Sequence, residues 1–163
     1  MTVAAYVALG SNLGDPIATV RAALGALGAI EGARLVAASP LYRTAPVGLK
    51  RQPDFINAVA ALEVSPAVLP ASTFLAALFA IEAAFGRVRG APNAPRTLDL
   101  DLLLYGGQTL ATPELTLPHP RMTERAFVLA PLADIAPELV IPGYGRVTNL
   151  LAALADQRIE RLQ

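Results

Sequence analysis

Strand-length apolar runs alternating with helical periodicities predict an α+β chain, an antiparallel sheet with helices on one face. Apolar runs of strand length cover residues 2–9, 34–43 and 54–64, and a leucine-rich stretch ends at Tyr105. Between them, two segments repeat apolar residues at three- and four-residue spacing. These are Ile17, Val20, Leu24, Leu27 and Phe74, Leu78, Ile81, Phe85. Glycine and proline separate the segments.

Each element has its own local signals. Residues 2–9 read as a buried strand running into the turn Gly10-Ser11-Asn12-Leu13-Gly14. Asp15-Pro16 starts a helix, with Asp as N-cap and Pro in the first turn, and Gly28 stops it. Residues 34–43 predict a second strand and 54–64 a third, joined by the Pro- and Gly-containing loop 44–53. A second helix starts near Pro70–Ser72 and ends at Gly86. After the loop 90–95 comes the leucine strand, and Gly106-Gly107 turns the chain. Residues 119–136 read as turns and short helices, and 147–156 as a last helix. The order β-α-β-β-α-β is the ferredoxin-like arrangement, extended at the C-terminus by roughly 55 residues.

Composition narrows the function classes. A chain of 163 residues is read as one domain, 1–163, able to bury roughly two-thirds of its unfolded surface. Hydrophobic residues make up 54% and charged residues 16%, which points to a globular chain. A formal net charge of zero argues against binding nucleic acid by phosphate neutralisation. With no cysteine, disulfides and thiolate metal sites are excluded. No signal peptide or membrane-spanning run is evident, so a cytoplasmic location without membrane contact is expected.

The stretch Arg96-Thr97-Leu98-Asp99-Leu100-Asp101-Leu102 carries the most chemistry. On a strand, Asp99 and Asp101 share a face about 7 Å apart, and the leucines take the other face. Two like charges at that distance call for a counter-charge, and Mg²⁺ prefers carboxylate oxygens. Arg96 lies just upstream, with Arg87 and Arg89 one loop earlier. Acidic residues for a metal beside arginines for anions suit a nucleotide polyphosphate. An edge strand with a solvated acidic face has the same pattern, so spacing alone leaves both readings open.

Other groups are weaker signals. The glycine turn at Gly10 lets a ligand approach the backbone, but it lacks the P-loop ending. His119, the single histidine, sits between Pro118 and Pro120; a lone histidine is more often packing or surface than catalyst. Phe55 and Asn57 alternate onto one strand face, where a ring could stack on a flat heterocycle and an amide read its polar edge. Core for Phe55 and a turn role for Asn57 are the plain alternatives. Glu82 borders the apolar stripe of the second helix and could simply pair with Arg87.

Seven segments occur in an order that resembles one family. They are Gly10-Ser11-Asn12-Leu13-Gly14, Tyr42-Arg43-Thr44-Ala45-Pro46, Gln52-Pro53-Asp54-Phe55-Ile56-Asn57, Gly86-Arg87-Val88-Arg89, Pro95-Arg96-Thr97-Leu98-Asp99-Leu100-Asp101, Pro118-His119-Pro120-Arg121, and Glu124-Arg125-Ala126-Phe127-Val128-Leu129-Ala130-Pro131-Leu132. The chain resembles the 6-hydroxymethyl-7,8-dihydropterin pyrophosphokinases of folate biosynthesis from Ala4 to about Pro142. The resemblance implies a ferredoxin-like core and transfer of diphosphate from ATP to the pterin hydroxymethyl group, releasing AMP.

It also implies residue roles. Asp99 and Asp101 match ligands of two Mg²⁺ ions that accompany ATP. Arg87, Arg89 and Arg96 match basic residues near the phosphates, Arg87 and Arg96 together with the aspartates forming the catalytic set. Glu82, Leu102, Thr116, His119 and Arg125 complete the ATP site. Gly10, Thr44, Ala45, Val47, Phe55, Asn57 and Phe127 match the pterin pocket, with Phe55 and Phe127 on opposite ring faces. Loops 44–53 and 90–95 are the expected lids over a water-excluding site. The second departs from the family pattern, with Pro92 and Ala94 where a basic residue and a glycine are usual, and no Trp. A monomer is expected. A non-catalytic sensor of the same shape is the alternative; AMP release separates the two.

Overall fold

The structure is a computed structural model that describes residues 1–46, 52–86 and 97–162. Ten strands and four α-helices form among them. In chain order they are β1 (Val3–Ser11), α1 (Pro16–Gly28), β2 (Ala33–Ala38), β3 (Tyr42–Thr44), β4 (Phe55–Val64), α2 (Ala71–Ala84) and β5 (Asp99–Tyr105). Then come β6 (Leu110–Ala111), β7 (Thr116–Leu117), a 3-10 turn (Met122–Glu124), α3 (Ala126–Ile135), β8 (Val140–Ile141), β9 (Gly145–Arg146), α4 (Val147–Ala152) and β10 (Glu160–Arg161).

The main sheet runs β10-β3-β4-β1-β5, with β2 also on β4, and every pairing is antiparallel. Thus β4 and β1 are central and β5 is an edge. α1 begins as expected: Asp15 accepts from the Ala18 N–H at 3.2 Å, and Pro16 occupies the first turn.

Strand alternation splits the sheet into two apolar faces. Ala5, Val7 and Leu9 of β1, Ile56, Ala58, Ala60 and Leu62 of β4, and Leu98, Leu100 and Leu102 pack with α1 and α2 around Val20, Leu27, Phe74 and Leu78. The opposite face carries Tyr6, Ala8, Val59, Leu103 and Leu104, covered by Val128, Leu129 and Leu132 of α3 and Val147 of α4. A bulge between Tyr6 and Val7 leaves Leu103 unpaired on β5. It lets Leu103 and Leu104 both reach the second face, while Tyr105 returns to the first.

The expected ferredoxin-like core, with α1 and α2 on one face, is present. The extension adds α3 and α4 on the other. Two boundaries differ from expectation. The run 34–43 is two strands, because Pro40 has no N–H to donate and the Ser39 hydroxyl accepts from the Val59 N–H instead, at 2.9 Å. The last helix is Val147–Ala152, shorter than 147–156.

Candidate active site

Three rungs of the sheet build the site on the face that α3 only partly covers. Register aligns Tyr42, Asn57, Gly10 and Asp99 across β3, β4, β1 and β5. One rung on, Val59 and Asp101 flank Ala8; on the other side, Thr44 faces Phe55. Residues opposite each other in an antiparallel pair point the same way, so the aspartates, Asn57, Thr44 and Phe55 share one surface. Both aspartates lie on β5 and are half-buried.

Two cavities meet at this surface. The first, about 890 Å³, is lined by Gly10, Thr44, Ala45, Phe55, Asn57 and Phe127. The second, about 450 Å³, runs past edge strand β5 and is lined by Glu82, Leu102, Thr116 and His119. Asp99, Asp101, Arg121 and Arg125 border both. These volumes suit small-molecule sites. The residues matched above to the pterin pocket therefore gather in the first cavity, and those matched to ATP in the second, wherever they are described. Val47, Arg87, Arg89, Arg96 and loop 90–95 lie outside the described residues, as does the middle of loop 44–53.

Local bonds fix the first cavity. Asn57 is buried and its Nδ2 donates to Thr44 Oγ1 at 2.8 Å, which turns Oδ1 toward Gly10. A Cβ on Gly10 would stand 3.1 Å from that Oδ1, so glycine gives Asn57 its room. The glycine turn is tied down on both sides. Ser11 Oγ donates to the Thr97 carbonyl at 2.5 Å, and Asn12 Nδ2 donates to Gln52 Oε1 at 2.8 Å and the Pro53 carbonyl at 3.1 Å. The turn thus ties β5 to the loop before β4. Phe127 enters from the first turn of α3, with the Arg125 guanidinium 5.5 Å from its ring centroid.

Glu82 is 3% exposed and accepts from the Leu100 N–H at 2.8 Å, so it anchors edge strand β5 to α2. Its suggested partner Arg87 is among the undescribed residues. His119 Nδ1 accepts from the Arg121 N–H at 3.2 Å, and its Nε2 lies 3.8 Å from Asp101 Oδ1. Burial lowers its pKa from 6.5 to about 4, helped by Arg125 and Arg121 against the opposing Asp99. At neutral pH the imidazole is uncharged, with its proton on Nε2.

Among the described residues, no group of three or more His, Asp or Glu side chains could coordinate an ion. Two carboxylates on one face suit Mg²⁺, which takes one or two protein oxygens and fills the rest of its octahedron with phosphate and water.

Other lining residues were not singled out from sequence. Arg121 borders both cavities, and its signal was present in the Pro-His-Pro-Arg run. Gln157, Arg158 and Ile159 line the first cavity from the C-terminal segment. They gave no sequence signal, because only tertiary pairing of β10 with β3 brings them there.

Known proteins resemble this chain in sequence and in fold. The chain is 52% identical to the 2-amino-4-hydroxy-6-hydroxymethyldihydropteridine pyrophosphokinase of Pseudomonas aeruginosa over 157 residues, 96% of this chain and 95% of that protein. It is 41% identical to the enzyme of the same name from Haemophilus influenzae, covering 98% of each. Among solved structures, wild-type Plasmodium falciparum HPPK-DHPS superposes with a TM-score of 0.74 at 14% identity, over 96% of this chain and 45% of that one. This chain thus spans less than half of that longer protein, and the likeness supports the fold. The family model described as 7,8-dihydro-6-hydroxymethylpterin-pyrophosphokinase matches residues 6–137, and the chain belongs to that family.

Proposed function

We infer that this chain is an ATP-dependent diphosphotransferase of folate biosynthesis. It transfers diphosphate from ATP to the hydroxymethyl group of 6-hydroxymethyl-7,8-dihydropterin and releases AMP. The observation that carries the reading is the aspartate pair at the junction of two cavities, one with rings and an amide, the other with an imidazole. Family membership disfavours the sensor alternative.

In this reading the pterin lies between Phe55 and Phe127, and the Asn57 amide hydrogen-bonds its polar edge. Gly10, Thr44, Ala45 and Val47 complete that pocket. ATP occupies the second cavity against Glu82, Leu102, Thr116, His119 and Arg125. Neutral His119 donates from Nε2 to a phosphate oxygen and is not the base. Arg87, Arg89 and Arg96 hold the phosphates, supplying cations that the zero net charge conceals. Asp99 and Asp101 hold Mg²⁺, two ions with ATP. The metal, when bound, neutralises phosphate charge and draws electron density from the β-phosphorus.

The reaction forms a bond from the hydroxymethyl oxygen to the β-phosphorus, with the hydroxyl proton passing to solvent or a phosphate oxygen, and breaks the bond from that phosphorus to the oxygen it shares with the α-phosphorus. AMP leaves with the electron pair. A loose transition state asks for alignment and charge neutralisation more than for a strong base. Arg125, bordering both cavities, is suited to follow the charge onto the leaving AMP. The chain acts as one domain and as a monomer in the cytoplasm; no described helix is long and apolar enough to cross a membrane.

The test is AMP formation from ATP, Mg²⁺ and the pterin, followed by chromatography. Binding of both ligands with no AMP would leave the sensor reading standing.

A further inference from the structure

The N-terminus of α3 is capped from a distance. Its N-cap residue is Arg125, whose side chain makes no capping hydrogen bond. Serine, threonine, aspartate and asparagine are the usual residues there, because a short oxygen can accept an orphan N–H. Here the acceptor comes from 31 residues further along the chain. The Ala126 N–H donates to Gln157 Oε1 at 2.8 Å, and Gln157 Nε2 donates to the Glu124 carbonyl at 2.8 Å. One amide thus grips the backbone on both sides of Arg125, and its donor and acceptor ends match the two partners.

Arg125 borders both cavities and stacks near Phe127, while Gln157 itself lines the first cavity. Gln157 is held in turn by its own N–H on the Leu154 carbonyl at 3.0 Å and by the pairing of β10 with β3.

We propose that Gln157 is a positioning residue for diphosphate transfer: by clamping Glu124 and Ala126 on either side of Arg125 it aims Arg125 at the junction of the cavities. The proposal rests on the reaction assigned above. A side chain outside the family-matched segment 6–137 then sets the geometry of Arg125 inside it.

A double-mutant cycle tests it. Gln157→Met keeps the length and removes both hydrogen bonds. It should lower kcat/KM for AMP formation about tenfold and speed exchange of the Ala126 amide by a similar factor. In an Arg125→Ala background the same change should cost less than about twofold, because its effect passes through Arg125. Gln157→Glu keeps the acceptor and should restore protection at Ala126, which serves as the readout if the Met variant does not fold. Equal losses in both backgrounds, or unchanged Ala126 exchange, would overturn the proposal. If the wild-type chain makes no AMP, the assigned reaction fails instead. The same cycle is then read as affinity for an unreactive ATP analogue, with the same expected pattern.

Discussion

Asp99 and Asp101 owe their shared direction to a spacing of two on one strand, which makes the metal assignment open to point mutation. Asp99→Ala or Asp101→Ala should lower AMP formation by about a hundredfold or more. The fold should survive, since both side chains sit half-exposed at an edge strand. Circular dichroism checks the fold, and rates in excess chelator that equal those with Mg²⁺ would end the idea. Phe127→Ala tests the pterin face: calorimetry should show about 1–3 kcal/mol of pterin affinity lost and little change for ATP. Equal losses for both ligands would make Phe127 a packing residue. His119 gives a pH signature. Its folded pKa, about 4, lies below the ordinary 6.5, so as pH falls the unfolded chain takes up this proton first. The stabilisation from the neutral imidazole is present above pH 6.5 and is lost as pH falls from 6.5 toward 4. In metal-free protein, unfolding by urea should cost about 2 kcal/mol less at about pH 5 than at about pH 7 through this group, and His119→Gln should remove that difference. Identical slopes for both proteins would mean that folding leaves the His119 pKa at its ordinary value.

Elements place the site by register, and register explains what could be read from sequence. The strands β1, β4 and β5 and both core helices were legible because their periodicities are long and uninterrupted. The break at Ser39-Pro40-Leu41 was not, since apolar residues continue across it and only the missing Pro40 N–H ends the pairing. The two-residue strands β6 to β10 carry no periodicity at all. β10, for instance, exists because Glu160 meets Arg43 across 117 residues. The same division holds for the site. The aspartate pair is local to one strand and reads directly, whereas grouping Phe127 with Phe55 required the family resemblance. Gln157 was invisible, because an exposed glutamine that bonds backbone looks like any surface glutamine. Element packing also yields a test at Gly10. Gly10→Ala sets a methyl 3.1 Å from Asn57 Oδ1, and the Thr44 bond prevents Asn57 from retreating freely. Pterin affinity should fall by about 1 kcal/mol or more, with the thermal midpoint moved little. An unchanged affinity would show that Asn57 does not read the ligand.

Across the whole molecule, the extension does more than cover the second face of the sheet. It returns the chain to β3 and closes the wall of the first cavity with Gln157, Arg158 and Ile159. The clamp for that return is a triad. Tyr42 OH donates to Asp134 Oδ2, Arg161 donates to Asp134 Oδ1 at 2.6 Å and to Tyr42 OH at 3.1 Å, and the guanidinium lies 5.8 Å from the ring centroid. Burial raises the Tyr42 pKa, as does its bond to Asp134, so the phenol remains a donor at neutral pH. Tyr42 is 4% exposed, and losing its acceptor leaves a buried hydroxyl with only a donor for company. Asp134→Ala should therefore cost about 1–3 kcal/mol in urea unfolding. It should also weaken pterin binding, because the wall of the cavity loosens with the clamp. The exposed pair Arg34–Glu63 at 3.2 Å serves as the control, and Arg34→Ala should change stability by less than about 0.5 kcal/mol and leave pterin affinity alone. If Asp134→Ala destabilises the protein without touching pterin affinity, the triad holds only the sheet edge. If it does neither, the C-terminal return is secured by the β10–β3 backbone bonds and the packing of Leu162 against the core.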